Sequence, residues 1–231
     1  MKRSEINGIL READSFIRSM GFHLPPFAYW TPAEWATKGE EVREIVQNKL
    51  GWDVTDFGLG DFATKGLLLF TLRNGHPDNW RTMQGKLYAE KIMMVRVDQL
   101  TPLHFHWQKM EDIINRGGGG LVIQLYNSTD DDSLADTDVT VSVDGVERVV
   151  SAGGCVTLTP GESIALPTRC YHKFWAAGSD VLVGEVSLVN DDDRDNRFYE
   201  PLPRFPAIEE DEPPLYLLCT EYANHYRLET G

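Results

Sequence analysis

The apolar positions of this chain follow two different rhythms. From Ser4 to Met20, the residues Ile6, Ile9, Leu10, Ala13, Phe16, Ile17 and Met20 recur at intervals of three and four. That spacing puts them on one face of an α-helix, which Gly21 ends and Pro25-Pro26 separates from the next helical segment. Thr31-Pro32-Ala33-Glu34 combines a capping box with proline at the first helical position. Val42, Ile45, Val46 and Lys49 carry a helical pattern from Glu41 to Leu50, up to Gly51. Residues 1–65 therefore read as a helical N-terminal arm.

Beyond Gly66 the rhythm shortens to alternation. Leu67–Leu72, Leu87–Val97, Leu121–Tyr126, Val139–Val143, Glu147–Val150, Val156–Leu158, Ser163–Leu166, His172–Ala176 and Val181–Val189 are short and rich in β-formers. Asp144-Gly145 marks a two-residue hairpin. The acidic run Asp130 to Asp138 reads as a solvated loop, and Gly117 to Gly120 as a turn; it lacks the Lys-Ser/Thr of a phosphate loop. Pro201 to Pro214 is proline-rich and acidic, and Leu215 to Cys219 is apolar. This tail is expected to wrap across the molecule and end in a packed strand. The chain is thus mainly β: an antiparallel barrel over residues 66–231, covered by the arm over 1–65.

Charge and composition narrow the partners. A net charge of −14 argues against nucleic acid, which needs basic surface. No eighteen apolar residues run together, so no membrane span is expected. Cys155, Cys170 and Cys219 are odd in number and form no CxxC pair, as in a reducing compartment. With no signal-peptide pattern in Met1 to Leu10, a cytoplasmic location is expected. Edge strands and the apolar tail fit a homodimer.

The chemistry concentrates in two segments, His104-Phe105-His106-Trp107-Gln108-Lys109-Met110-Glu111 and Pro167-Thr168-Arg169-Cys170-Tyr171-His172. Two histidines one residue apart share a strand face. With Glu111 and His172 they make a nitrogen and oxygen donor set suited to one divalent ion. Lys109 lies between ligands, where a nearby cation would lower its pKa. Glu185 shares a strand face with Val181 and Val183, which buries it; a carboxylate there needs a partner or a function. Lys91 shares its face with Ala89, Met93 and Val95 and points at substrate if that face lines the barrel. Trp107 flanks the ligands, where an indole either stacks on a bound molecule or fills core or interface.

These segments resemble a known pattern. His104-x-His106-x4-Glu111-x6-Gly118 is similar to the first cupin motif, and Gly161-x5-Pro167-x4-His172 to the second. Two glycines of the pattern are replaced, by Asp98 and Arg169, which bears on turn geometry more than on ligands. A closer resemblance, over most of the chain, is to the D-lyxose isomerases. It rests on Tyr88-Ala89-Glu90-Lys91-Ile92, Met110 to Gly119, Gly184-Glu185-Val186-Ser187 with Asn190-Asp191-Asp192, and Arg204-Phe205-Pro206. The resemblance implies a cupin barrel and a metal-dependent isomerase of free sugars, D-lyxose to D-xylulose first and D-mannose to D-fructose second. It implies manganese as the usual metal, held by His104, His106, Glu111 and His172. Lys109 and Glu185 are the candidates for proton transfer, and Lys91, Asp193 and Arg204 for sugar contacts. An iron-dependent cupin dioxygenase and a non-catalytic sugar-binding cupin remain open at this point, because one barrel hosts many chemistries.

Overall fold

The computed structural model describes residues 1–226; the last five residues of the expected 66–231 unit lie outside the described residues. Helix α1 (Arg3–Ser19) carries the expected apolar face, with Ile6, Ile9, Leu10, Ala13 and Ile17 buried. That face packs on Trp52, Val54, Leu68, Phe70, Ile92, Met94 and Leu182. Each buried Ile or Leu contributes roughly 1.5–3 kcal/mol, enough to anchor the helix although Lys2 at its N-cap offers no side-chain bond. The Thr31 capping box forms as expected, starting α2 (Pro32–Trp35). The pattern from Glu41 to Leu50 gives a shorter α3 (Arg43–Gln47).

The arm is not helical to its end. Gly51–Thr55 is strand β1, paired antiparallel with β2 (Leu67–Arg73). Trp52 and Val54 face α1, so alternation turns Asp53 to the opposite side. This is what carries the arm into the sheet.

The remaining strands are β3 (Tyr88–Val95), β4 (His104–Phe105), β5 (Glu111–Asn127), β6 (Val139–Val143), β7 (Val146–Val150), β8 (Cys155–Leu158), β9 (Ser163–Leu166), β10 (Cys170–Leu188) and β11 (Arg197–Phe198). One path runs β1-β2-β3-β10-β5-β9-β6-β7; β8 pairs with β5, and β4 with β10 and β11. The long strands β5 and β10 belong to both walls and fold them around a core that includes Leu69, Met93, Ile113, Ile123, Leu158, Phe174 and Val183. The result is an antiparallel cupin-type barrel. Asp144-Gly145 forms the expected hairpin, both residues with positive φ.

Two expected breaks are instead continuous strand. His172–Ala176 and Val181–Val189 are joined through β10, with a bulge between Ala177 and Val181. Gly117 to Gly120 is not a turn but the middle of β5, lying against that bulge. A Cβ on Gly118 would sit 2.0 Å from the Asp180 carbonyl oxygen, and one on Gly119 would sit 2.4 Å from that of Ala177. The glycines are there because two backbones meet without room for side chains.

The tail wraps across the molecule as expected, but among the described residues Leu215 to Cys219 form no strand. Leu217 and Leu218 are buried, Leu218 makes a single parallel bridge to Trp52, and the short helix α5 (Tyr222–His225) comes next. Residues 1–7 hold this tail. Arg3 pairs with Glu210 and Glu221, Ser4 bonds Asp211, and Asn7 bonds Glu212.

Candidate metal centre and active site

His104 on strand β4 and His106 just past its end both face the cavity, with Phe105 buried between them. His172 on β10 pairs in register with His104. The ligand atoms of His104, His106 and His172 all lie within 4.8 Å of one another. Each imidazole is oriented by its Nδ1, which faces a backbone carbonyl: Pro102 at 2.9 Å for His104, Asp195 at 2.5 Å for His106, Cys170 at 3.0 Å for His172. A carbonyl only accepts, so the proton sits on Nδ1 and the Nε2 lone pair is left free.

Glu111, the first residue of β5, lies against two of these imidazoles. Its Oε1 is 2.9 Å from His172 Nε2 and its Oε2 is 3.6 Å from His106 Nε2. His172 Nε2 is buried and has no hydrogen-bond donor. Two acceptors at 2.9 Å repel unless a cation lies between them. Donors on adjacent sites of one ion, each about 2.1 Å away, sit about 3 Å apart. The donor set therefore fits a single divalent metal. Burial pushes the His104 imidazole down to about 3, aided by His172. Burial, with Lys109 nearby, also holds His106 well below the ordinary histidine value. Both are neutral and ready to ligate at pH 7.

From Glu111 a chain of alternating charges runs along the cavity wall. Lys109 Nζ lies 2.6 Å from Glu111 and 2.8 Å from Glu185; Lys91 Nζ lies 3.1 Å from Glu185 and 2.7 Å from Asn190 Oδ1. Asn190 donates to Asp192, which pairs with Arg204, which pairs in turn with Asp53 at 2.5 Å. Burial works to lower the Lys109 pKa, but Glu111 and Glu185 outweigh it and hold the ammonium above its ordinary range. The sequence expectation weighed a metal beside Lys109; the two carboxylates on its ammonium are added by the structure. Asp192 likewise ends well below the usual carboxylate range, Arg204 and Lys91 overcoming its burial.

The bulge in β10 makes this wall possible. His172, Phe174 and Ala176 face inward at even numbers, whereas Val181, Val183 and Glu185 face inward at odd ones. A straight strand cannot do both; the bulge inserts the extra residue that flips the face. Lys91, on the face it shares with the core residues Met93 and Val95, points inward as well. His104, His106, Lys109, Glu111, His172, Glu185, Lys91, Asp192 and Arg204 all line one cavity.

Eight of the nine residues singled out from the sequence line this cavity: His104, His106, Glu111, His172, Lys109, Glu185, Lys91 and Arg204. Asp193 does not. Its carboxylate is 54% exposed and pairs with Lys49, while its neighbour Asp192 turns inward to Arg204. Trp107 also points away, packing edge-on against Phe105 outside the cavity. Asp53, Asn190 and Asp192 were missed. The alternation Trp52-Asp53-Val54 signals a strand with one polar residue turned in, but it lies inside a segment read as helical.

Comparison with known proteins now decides the family. The sequence model of the D-lyxose isomerase family matches residues 1–222. The chain belongs to the D-lyxose isomerase family. Two relatives named D-lyxose/D-mannose isomerase, from Serratia proteamaculans and Escherichia coli O157:H7, are 54% and 52% identical. Each alignment spans 96% of this chain and 98% of the relative. An L-ribose isomerase of Acinetobacter sp. DL28, solved with L-ribose, shares the fold with a TM-score of 0.59 at 15% identity, over 90% of this chain and 98% of the other. As a member of the D-lyxose isomerase family the protein is a metal-dependent aldose–ketose isomerase, with a three-histidine cluster able to hold the metal. The dioxygenase and binding-module readings fall away.

Proposed function

We propose that the protein interconverts D-lyxose and D-xylulose, and D-mannose and D-fructose as a second pair. The names and high identity of the two bacterial relatives support this, and so does stereochemistry: the two aldoses share configuration around the reacting carbons. The observation that carries it is the joining, in one cavity, of three free imidazole lone pairs with the Lys109–Glu185 pair.

In this reading His104, His106, Glu111 and His172 hold one Mn²⁺. When bound, the ion supplies Lewis acidity to the sugar's adjacent oxygens. Glu185, fixed between two ammonium groups, takes the proton from C2 and returns it to C1 through an enediol. Lys109, an ammonium paired with Glu111 and Glu185, donates its proton to O1 and recovers one from the C2 hydroxyl, so it ends in the state in which it began. Lys91 and Arg204 hydrogen-bond sugar hydroxyls, the latter with its buried and unpartnered Nη1. Asp192, which also lines the cavity, takes the place expected for Asp193.

A homodimer and a cytoplasmic location belong to the same proposal. Exposed Tyr88, Met110 and Val186 support the first, and three unpaired cysteines the second. Among the described residues no helix is long and apolar enough to cross a membrane. The test is direct. Protein stripped by chelator and reloaded with Mn²⁺ should form D-xylulose from D-lyxose. Absence of ketose from both aldoses would overturn the substrate assignment, and full activity of stripped protein would overturn the metal's role.

A further inference from the structure

The loop between β10 and β11 contains a buried acid that does not touch the cavity. Asp195 is 6% exposed. Its Oδ1 accepts from the Gln108 amide at 3.0 Å and its Oδ2 from the Lys109 amide at 2.9 Å. Its backbone carbonyl is the group that orients His106 Nδ1. Its own amide is tied to the Asp191 carbonyl at 2.9 Å, so the carbonyl and the carboxylate share one rigid frame.

No cationic side chain pairs with the Asp195 carboxylate among the described residues. Keeping a carboxylate in such a place is costly unless charge-assisted bonds offset it, and both of its bonds go to one short turn. That turn joins His106 to Lys109. A simple structural cap would need to grip the backbone anywhere along the loop. Asp195 grips it where the imidazole ends and the ammonium begins.

We propose that Asp195 is a positioning residue, setting the orientation of His106 through its carbonyl and the placement of Lys109 through its carboxylate. This rests on the reading of His106 as a metal ligand and Lys109 as a proton carrier. Groups that orient a ligand typically change metal affinity by about 10–100-fold when lost. Geometric errors near 1 Å at the reacting groups carry losses of similar size.

Asp195→Asn is the deciding variant. It keeps the shape but sets an amide NH₂ against a backbone N–H, so one of the two bonds is lost. Mn²⁺ binding by calorimetry, melting temperature, and kcat and KM on D-lyxose are measured together. The expected result is a Kd for Mn²⁺ raised about tenfold or more and a kcat lowered at least about tenfold, with KM moved less than threefold. A Kd and kcat within twofold of wild type would overturn the proposal, whatever happens to melting temperature. If the Asn variant does not fold, Asp195→Ser, shorter and free of the clash, is judged by the same limits. Two variants that both unfold would overturn it too, because the residue would then hold the fold and not the site. Wild-type protein that takes up no Mn²⁺ would instead refute the metal reading underneath.

Discussion

His106 meets two demands at once. Its Nε2 opens into the cavity while its Nδ1 is held by a carbonyl 89 residues away in sequence. Replacing it by alanine removes a donor and leaves Glu111 facing an incomplete set. His106→Ala should therefore keep no stoichiometric metal after gel filtration and show no measurable turnover. Lys109→Ala is expected to behave differently. It leaves the three imidazoles and Glu111 in place but removes the proposed proton donor. Mn²⁺ content should persist while kcat falls about 10²–10⁴-fold, as steady-state kinetics on metal-loaded protein will read. Loss of metal in the lysine variant would contradict the division of roles. Asp98 and Arg169, which replace two glycines of the cupin pattern, keep the left-handed backbone those glycines would adopt, with φ of 58° and 62°. Asp98→Gly should accordingly raise stability, by up to about 1 kcal/mol in urea unfolding, because the left-handed region strains residues with a Cβ.

At the scale of the element, the bulge in β10 and the glycines of β5 are one device. The bulge flips which residues of β10 face inward, and the glycines let its carbonyls lie against β5. Gly118→Ala places a Cβ 2.0 Å from the Asp180 carbonyl oxygen at φ 106°. The variant should lose at least about 2 kcal/mol of stability in denaturant unfolding. The damage should reach Glu185, since it and the metal-facing His172 stand on opposite sides of the bulge along β10. Activity should fall further than metal binding. Gly145→Ala, in the exposed hairpin with open space around its Cβ, gives the comparison for positive φ without the clash.

At the scale of the molecule, acid should act through the site itself. His104 is held down to about 3 and His106 is also lowered, both chiefly by burial. Below about pH 6.5 the unfolded chain takes up these protons and the folded chain does not. Stability of the metal-free protein should therefore fall between pH 6.5 and about 3, by up to about 1.4 kcal/mol per pH unit for each imidazole. Glu111 and Asp192, both lowered in the folded state, contribute stability above the ordinary carboxylate range that is lost as pH falls through their folded values. The two effects have the same sign. Urea unfolding at pH 7 and pH 5 reads the histidine part, and equal stability at the two would contradict the burial argument. Charge also ties the two ends of the chain together. The Arg3 guanidinium, 1% exposed, grips Glu210 and Glu221 beyond the segment that brings Arg204 to the cavity.

What the amino-acid sequence determined by itself is what local chemistry can specify. The three-and-four spacing fixes α1, alternation fixes most strands, and Asp-Gly fixes the hairpin. The one-residue gap between His104 and His106, with Glu111 and His172, marks the donor set. Lys91 and Glu185 were legible because they stand among apolar neighbours on one strand face. Tertiary structure alone decided which of Asp192 and Asp193 turns inward, since that depends on Arg204 arriving from twelve residues further along the tail. It decided that Gly117 to Gly120 is strand, because the bulge that needs their missing side chains is about sixty residues away. It also decided the place of Asp195, whose partners lie 86 to 89 residues away in sequence. Spacing along a chain specifies which side chains share a face; only the folded backbone specifies which faces meet.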